Sequence, residues 1–214
     1  DNSGCTAAHY AAQNGHVEAL RALLELGCPM AEQDTNGRTA LHFAVQEGQL
    51  RALHDLRDFG CRVEDKDKNG STAVHWAAAT GQVEVFQVLI NLGCPMAEKD
   101  NDGRTGAHLA ALEGHSESLH ALGHLECPMA EKDCKGRTAA HWAASMGQVE
   151  VLGMLSCLGC PMAEKDNKGF TAAFMAAQEG QVATLRALSE LGCPMAEKDN
   201  EGRTAVFMAA QEGQ

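Results

Sequence analysis

The chain has 214 residues and a formal net charge of −12, from 17 Lys and Arg against 29 Asp and Glu. This acidic excess argues against a non-specific nucleic-acid binder and against docking on an anionic membrane, because Lys and Arg hold both ligands. No apolar run reaches the roughly 18 residues of a membrane span, and the 44% hydrophobic content is globular rather than disordered. We therefore expect no nucleic-acid partner and no membrane insertion.

A Gly-x-Thr motif recurs every 33 residues, starting at Gly4, Gly37, Gly70, Gly103, Gly136, Gly169 and Gly202. An Asp stands three positions before each of these glycines, and a second Gly stands eleven positions after it, up to Gly213. We number positions within a repeat from this Asp. The unbroken register predicts a single array over 1–214, with repeats at 1–33, 34–66, 67–99, 100–132, 133–165 and 166–198 and a partial repeat at 199–214.

Each repeat predicts two short helices. Thr at position 6 is a good N-cap, and a His three residues later resembles a capping box with His in place of Glu or Gln. These histidines are His9, His42, His75, His108 and His141. Gly at position 15 ends the first helix. Apolar residues at positions 17, 20 and 23, such as Val83, Phe86 and Leu89, then predict the buried stripe of a second helix.

The second helix is expected to end at Gly in position 27. The following Cys-Pro-Met-Ala-Glu predicts an extended arm and a turn, because Pro cannot continue a helix. Helices of about ten residues are not stable alone in water, so neighbouring repeats must bury each other's apolar stripes. The sequence therefore predicts a stacked, quasi-one-dimensional array.

These motifs resemble the ankyrin-repeat family, whose repeats read Asp-x-x-Gly-x-Thr-Pro-Leu-His-x-Ala-Ala-x-x-Gly. Repeat 3 carries Asp67, Gly70, Thr72, His75 and Gly81 at the matching places, and the resemblance covers the whole chain. It implies an all-α solenoid of stacked helix–turn–helix units with projecting β-hairpin or turn fingers and a concave groove. One departure is that the last two repeats replace the histidine by Phe174 and Phe207.

The resemblance also implies a function. Ankyrin-like proteins act as non-catalytic interaction modules or scaffolds that bind a partner protein through the hairpin tips and the groove. Two alternatives stay open. The chain could be the substrate-recognition arm of a larger multidomain enzyme, such as a ubiquitin ligase or a kinase, or a structural tether between membrane and cytoskeleton.

The nine cysteines fit a structural role better than a chemical one. Six share position 28, namely Cys28, Cys61, Cys94, Cys127, Cys160 and Cys193. Packed helices lie about 8–10 Å apart, beyond the roughly 7 Å between Cα atoms that a disulfide allows. We expect small buried hydrophobes there and an exposed Cys134 in a turn. Unpaired thiols, with no signal or transmembrane segment in this stretch, predict an intracellular protein, cytoplasmic or nuclear.

No catalytic, cofactor or metal site is predicted. Cys157 and Cys160 form a C-x-x-C motif without the βαβ context of a redox site. His120, His124 and Cys127 have a spacing that can hold a metal, but no fourth ligand is evident, and solvated surface histidines are the favoured interpretation. Phosphate-binding loops, nucleophile elbows and paired carboxylates are also missing from the sequence.

Positions that vary between repeats are the candidates for partner binding. They include turn positions 2, 3 and 5, the end of the first helix at positions 13 and 14, and position 10. The residues proposed to contact a partner combine Arg, Met, aromatic and apolar types, which are common in interface cores. They are Arg38, Trp76, Arg104, Leu112, Arg137, Trp142, Met146 and Phe170.

Two alternatives remain within this set. The position-5 arginines could pair with a partner carboxylate or, as we favour, with neighbouring Asp and Glu. The position-10 side chains could floor the groove or, as we favour, pack in the core. Arg137→Glu or Phe170→Ala is expected to weaken the natural complex without changing helicity.

Repeat 4 is predicted to be weak, with a local soft point near residues 106–127. Gly106 and Gly123 lie inside its helices, Ser116 replaces an apolar stripe residue, and Glu126 replaces the Gly at position 27.

We expect both ends of the chain to be fragment boundaries and the protein to be a monomer. Uncapped termini, with Val206 and Met208 or their packing partners exposed on the last helix, leave end-to-end contacts as an alternative.

Overall fold

The computed structural model describes residues 1–211, so the predicted Gly213 lies outside the described residues. Thirteen α-helices and no strand are present in the described range, which confirms the all-α prediction. One isolated antiparallel bridge joins Lys198 to Thr204 at the base of a turn. The expected fingers are therefore turns rather than extended β-hairpins.

The helices alternate along the chain as the repeat register predicts. The first helices of the repeats are α1 (Ala7–Gln13), α3 (Ala40–Gln46), α5 (Ala73–Thr80), α7 (Gly106–Glu113), α9 (Ala139–Ser145), α11 (Ala172–Gln178) and α13 (Ala205–Gln211). The second helices are α2 (Val17–Glu25), α4 (Leu50–Asp58), α6 (Val83–Asn91), α8 (Ser116–His124), α10 (Val149–Cys157) and α12 (Val182–Glu190).

The chain forms two compact units, Asp1–Asn101 and Asp102–Gln214. In the first unit α1, α3 and α5 pack side by side in one layer, and α2, α4 and α6 pack in a second layer. In the second unit α7, α9, α11 and α13 form one layer, and α8, α10 and α12 form the other. The single array over 1–214 stays a prediction.

The first helices begin at the Thr–His box that the sequence predicts. In repeat 5 the Thr138 backbone N–H donates to Nδ1 of His141 over 3.0 Å, and the Thr138 Oγ1 lies 3.0 Å from the same nitrogen. The opposite nitrogen, Nε2, lies 2.9 Å from the carbonyl oxygen of Phe170 in the next repeat. His9 makes the same link to Arg38, over 3.0 Å. His9 and His141 thus fix their own helix starts and tie them to the following turn.

The buried stripe of the second helix differs from the prediction at one position. In repeats 2 to 5 the buried positions are 19, 20 and 23, as in Val85, Phe86 and Leu89. Position 17 is half-buried in Val83 and 40% exposed in Val149, so its prediction as a core position was wrong.

Position 19 explains where repeat 4 departs from its neighbours. Ser118 occupies this position and is fully buried, with a hydroxyl that has no hydrogen-bond partner in the described structure. Ser116, which the sequence singled out, is only half-buried and donates to Glu150 over 2.8 Å. Gly123 is also less costly than expected, because a Cβ there would lie 2.5 Å from a methyl group of Leu158. The buried hydroxyl of Ser118 is therefore a further weakness of this repeat.

Replacing Glu126 by Gly is expected to stabilise the protein by about 1 kcal/mol. Glu126 has a φ of +56° and is the one non-glycine residue in the left-handed region among the described residues. At the same position in repeat 5, Gly159 has a φ of +77°, and a Cβ added to it would have no atom within 4 Å, so the strain is in the backbone alone. Urea denaturation measures this change in the free energy of unfolding. Gly159→Ala, measured alongside, should lose about as much stability as Glu126→Gly gains. Equal stability of Glu126→Gly and the parent chain would contradict it.

The position-28 cysteines are mostly buried, as expected. Cys61, Cys94, Cys160 and Cys193 are buried, while Cys28 and Cys127 are half-buried. The Cys61 thiol donates to the carbonyl of Met30 over 3.3 Å, and Cys193 donates to that of Met162 over 3.2 Å. Burial raises the pKa of Cys61 to about 11 and that of Cys94 to about 12, so these thiols are protonated and poorly nucleophilic at neutral pH.

The last helix exposes only part of the predicted apolar face. Val206 is 69% exposed and Phe207 is 54% exposed. Met208, in contrast, is buried in a cluster with Phe174, Ala177 and Ala205, so the exposed apolar face is formed by Val206 and Phe207.

Candidate functional site

Each hairpin tip is built around the Asp at position 1. In repeat 5 one carboxylate oxygen of Asp133 accepts the backbone N–H groups of Lys135 and Arg137, over 2.8 and 2.9 Å. The other oxygen accepts the Arg137 Nε–H over 2.9 Å and lies 2.8 Å from its Nη2. The turn is closed by the Asp133 N–H, which donates to the Arg137 carbonyl over 2.9 Å. A short loop therefore returns the arginine onto its own aspartate.

The aromatic residue at position 10 completes this arrangement. The Arg137 guanidinium lies 3.8 Å from the ring centre of Trp142, and the Trp142 indole N–H donates to Asp133 over 3.3 Å. Burial by itself would raise the pKa of Asp133, but the hydrogen bonds and charge of Arg137 outweigh it and lower that pKa. Asp133, Arg137 and Trp142 thus satisfy one another within the repeat.

Repeat 2 uses the same arrangement with a different aromatic residue. Arg38 pairs with Asp34 over 2.7 Å and lies 4.4 Å from the ring centre of Phe43 and 5.6 Å from that of Trp76. In repeat 4 Arg104 lies 3.3 Å from Asp102. The favoured alternative, intramolecular pairing of the arginines, is confirmed for Arg38, Arg104 and Arg137.

Repeat 6 breaks the pattern at the same place. Phe170 stands where four other tips carry Arg, and its ring stacks on Phe174 at 4.1 Å between ring centres. Asp166 accepts the backbone N–H groups of Lys168 and Phe170, each over 2.8 Å, but has no arginine across the turn. Compared with repeat 5, repeat 6 has Phe170 in place of Arg and Phe174 in place of His, and an aromatic stack takes the place of their polar contacts.

A hollow of about 360 Å³ lies between the tips of repeats 5 and 6. Its lining joins both tips to the outer side of α11 and consists of Cys134, Lys135, Arg137, Asp166, Asn167, Lys168, Phe170, Met175 and Gln178. A second hollow, of about 470 Å³, lies between the tips of repeats 6 and 7 and shares Asn167, Lys168 and Phe170 with the first. We call the surface formed by these two hollows the tip surface.

The tips on this surface are held tightly together. The Asn167 N–H donates to the Lys135 carbonyl over 2.9 Å, and its side-chain amide donates to the Cys134 carbonyl over 3.2 Å. Gly136 has a φ of +78°, and a Cβ at this residue would lie 2.8 Å from the Asn167 backbone nitrogen. Only glycine allows this close approach, so adjacent tips form a rigid surface.

The structure brings together part of the predicted contact set. Arg137, Trp142 and Phe170 lie in or beside the tip surface, whereas Arg38 and Trp76 meet each other in the first unit. Met146, just after α9, is 49% exposed, and Leu112 near the end of α7 is half-buried. Trp76 and Trp142 are half-buried, so position 10 belongs partly to the core and partly to the surface.

Two exposed lysines of the tip surface lie outside the predicted contact set. Lys135 and Lys168 both occupy position 3, one of the predicted variable positions, where the other repeats carry no Lys. The predicted set took its cations from position 5, although the lysines at position 3 set repeats 5 and 6 apart from the others.

His120 and His124 contact each other on the surface of α8, with their Nε2 atoms 3.1 Å apart. Cys127 is half-buried, and its thiol lies 3.9 Å from the Leu125 carbonyl. Across residues 1–211 the structure groups no three His, Cys, Asp or Glu side chains in a way that could hold a metal ion. None of the helices described is both long enough and apolar enough to cross a membrane.

Short paired helices, a capped start, and tips that differ from repeat to repeat define an α-helical repeat protein with a variable tip surface. A sequence model described as ankyrin repeats matches the chain in three copies, at residues 1–67, 48–133 and 98–166. The chain therefore belongs to the ankyrin-repeat family.

Solved structures show the same fold. The human ASB11 ankyrin repeat domain has a TM-score of 0.84 and 21% identity, over 96% of this chain and 92% of that one. The ankyrin repeat domain of Bcl-3, a member of the IkappaB family, has a TM-score of 0.79 and 21% identity, over 97% of this chain and 95% of that one. No curated protein matches the sequence.

Proposed function

We propose that the chain is a non-catalytic scaffold that binds a partner protein through its hairpin tips and the adjoining ends of the first helices. Ankyrin-repeat domains are in general protein–protein interaction modules. The observation that carries the proposal here is the tip surface, where two hollows are bordered by half-exposed Phe170 and Met175 and by exposed lysines. Aromatic and Met side chains in such settings are typical of interface cores.

The different roles of constant and variable residues within each repeat support this function. Residues shared by most repeats form hydrogen bonds within the fold, as Thr138, His141 and Asp133 do in repeat 5. Residues that vary, such as Lys135 and Met146, are exposed. A partner can therefore be recognised by exposed residues that carry no cap or core contact.

We further infer a reducing, intracellular setting and a monomeric chain. All nine cysteines lie within the described residues and none is in a disulfide, and burial raises the pKa of several of them, including Cys94, which suits a reducing compartment. Size-exclusion chromatography with light scattering tests the oligomeric state, and a dimer would contradict this part of the proposal.

Met146→Glu is expected to weaken capture of the partner protein at least about tenfold, since a charge would replace an apolar side chain in the contact. The chain is used as bait in a lysate, and bound proteins are quantified by mass spectrometry. Val182→Glu is the matched control, because Val182 is 54% exposed against 49% for Met146 but starts a second helix.

Circular dichroism should show equal helicity for both variants. The proposed surface would be refuted if Val182→Glu lost the same proteins while Met146→Glu retained them. Arg137→Glu and Phe170→Ala are poorer tests, because Arg137 pairs with Asp133 and Phe170 stacks on Phe174 inside the fold.

A further inference from the structure

We propose that the hollow between the tips of repeats 5 and 6 binds an acidic peptide segment with one apolar anchor side chain. This inference rests on the proposed function and gives the chemical class of the partner. The net charge of −12, taken alone, would favour a basic partner, so the proposed class is the opposite of what the whole-chain charge suggests.

The first step is the local charge. Lys135 and Lys168 are exposed, and neither forms an ion pair within the described residues. Their neighbouring cation, Arg137, is already neutralised by Asp133. The hollow also contains the carboxylate of Asp166, which two backbone N–H groups solvate. Two uncompensated ammonium groups therefore border the hollow, and carboxylates of a partner are the groups that complement them.

The position of these lysines sets them apart from the rest of the chain. Position 3 carries Ser3, Asn36, Asn69, Asp102 and Glu201 in the other repeats. Two lysines of the neighbouring arms are used within the fold, since Lys132 pairs with Glu164 and Lys165 pairs with Glu197, over 2.7 and 2.8 Å. The two position-3 lysines differ from these in having no ion-pair partner among the described residues.

The second step is the apolar part of the hollow. Phe170 and Met175 are half-buried side chains on its wall, and the Lys168 ammonium lies 5.9 Å from the Phe170 ring centre. A volume of about 360 Å³ is at the small end of ligand pockets and suits one anchor side chain with its flanking backbone. The geometry thus favours an apolar residue flanked by Asp or Glu.

The third step is rigidity. The hydrogen bonds from Asn167 to the backbone of repeat 5 fix the tips that carry Lys135 and Lys168. A backbone that is already fixed loses little entropy when a partner binds, which raises the affinity that a short segment can reach. A nucleic acid is the less suitable polyanion, because its affinity depends on neutralising many phosphates and this surface offers two free cations.

Selection from a display library of random short peptides tests the inference. Peptides that bind the whole chain are expected to be enriched in Asp and Glu around a single Leu, Met or aromatic residue. Their affinity, measured by fluorescence anisotropy, should fall with added salt and should drop at least about tenfold in Lys135→Glu/Lys168→Glu. The matched control is Arg51→Glu/Arg186→Glu, an equal change of charge on the second helices α4 and α12.

The exposed cysteines provide a second readout. Cys134 lines the hollow, whereas Cys157 is exposed at the end of α10. A bound acidic peptide should slow alkylation of Cys134 by iodoacetamide and leave the rate at Cys157 unchanged.

The outcomes separate this inference from the proposed function. Neutral or basic peptides that protect Cys134 would overturn the acidic class while leaving the tip surface as a binding site. Equal affinity for both charge-reversed pairs, or competition by single-stranded RNA as strong as by the peptide, would also overturn it. If no peptide protected Cys134, this inference would fail, and the Met146→Glu capture experiment would still decide the broader function.

Discussion

Acidification from about pH 7 to about pH 4.5 is expected to lower the free energy of unfolding through the buried position-9 histidines. In neutral His141 both ring nitrogens are hydrogen-bonded, since Nδ1 accepts a hydrogen bond from the Thr138 N–H and Nε2–H donates one to the Phe170 carbonyl. Protonation would place a second donor against the Thr138 N–H. Burial lowers the pKa of His42 and His141, the latter against a hydrogen bond that raises it.

The sign follows from proton binding. The folded pKa of these histidines lies below the 6.5 of an unfolded chain, so the unfolded state binds more protons between the two values. The histidines make their full contribution to the free energy of unfolding above the unfolded pKa. This contribution declines as the pH falls through 6.5 towards the folded pKa. Each pKa unit between the two states is worth about 1.4 kcal/mol per histidine.

Phe substitutions, which copy Phe174 of repeat 6, measure this directly. Urea denaturation of His141→Phe across the pH range should show a shallower loss of stability than the parent chain. His42→Phe should show the same and cost less stability at neutral pH, because the His42 Nε2 has no hydrogen-bond partner in the described structure.

Titration of the Asp34 carboxylate does not interfere between pH 7 and about pH 4.5. Hydrogen bonds from Arg38 lower the pKa of Asp34 despite burial, so its contribution is lost only below about 3.8. An unchanged pH dependence in both variants would refute the role of the histidines.

Asp133→Ala is expected to destabilise the second unit by about 3 kcal/mol, the cost of leaving a largely buried arginine without its partner. The Asp133 side chain is 1% exposed and that of Arg137 is 15% exposed. The substitution also removes the acceptor of two backbone N–H groups and of the Trp142 indole.

The chain supplies the control for this experiment. Asp166 accepts the equivalent two backbone N–H groups, but Phe170 stands in place of the arginine. Asp166→Ala should therefore cost only about 1 kcal/mol, the contribution of the turn hydrogen bonds. The difference between the two variants in urea denaturation isolates the arginine pairing. Equal losses would show that the ion pair and the stacking on Trp142 contribute nothing to stability.

The repeat register and the helix starts were predictable because they depend on local chemistry. Thr138 and His141 are three residues apart, and no distant part of the chain is needed to form the cap. The C-cap at position 27 is equally local, and Glu126 was recognised as an exception from its residue type alone. Such features depend on a few residues that are close in the sequence, so residue types and spacing are enough to predict them.

Features set by packing were harder to predict. The buried position 19 was missed because it holds Ser118 in repeat 4 and Thr184 in repeat 6, whose polar side chains hide the stripe. Likewise, Arg137 could satisfy a partner or Asp133, and residue type cannot distinguish the two. Only the tight turn, which returns the guanidinium to within 2.8 Å of Asp133, decides between them.

Hydrogen bonds across repeat boundaries have a mechanical consequence. His141 of repeat 5 donates to the Phe170 carbonyl of repeat 6, and the Asn167 N–H of repeat 6 donates back to the Lys135 carbonyl of repeat 5. One repeat therefore cannot loosen without straining its neighbours. A molecule stretched between its ends should yield as a series of discrete force peaks, each releasing about 110 Å of chain for one 33-residue repeat. Repeat 6 carries Phe174 instead of the histidine, so its boundary with repeat 7 should rupture at a different load from the boundaries that a histidine spans.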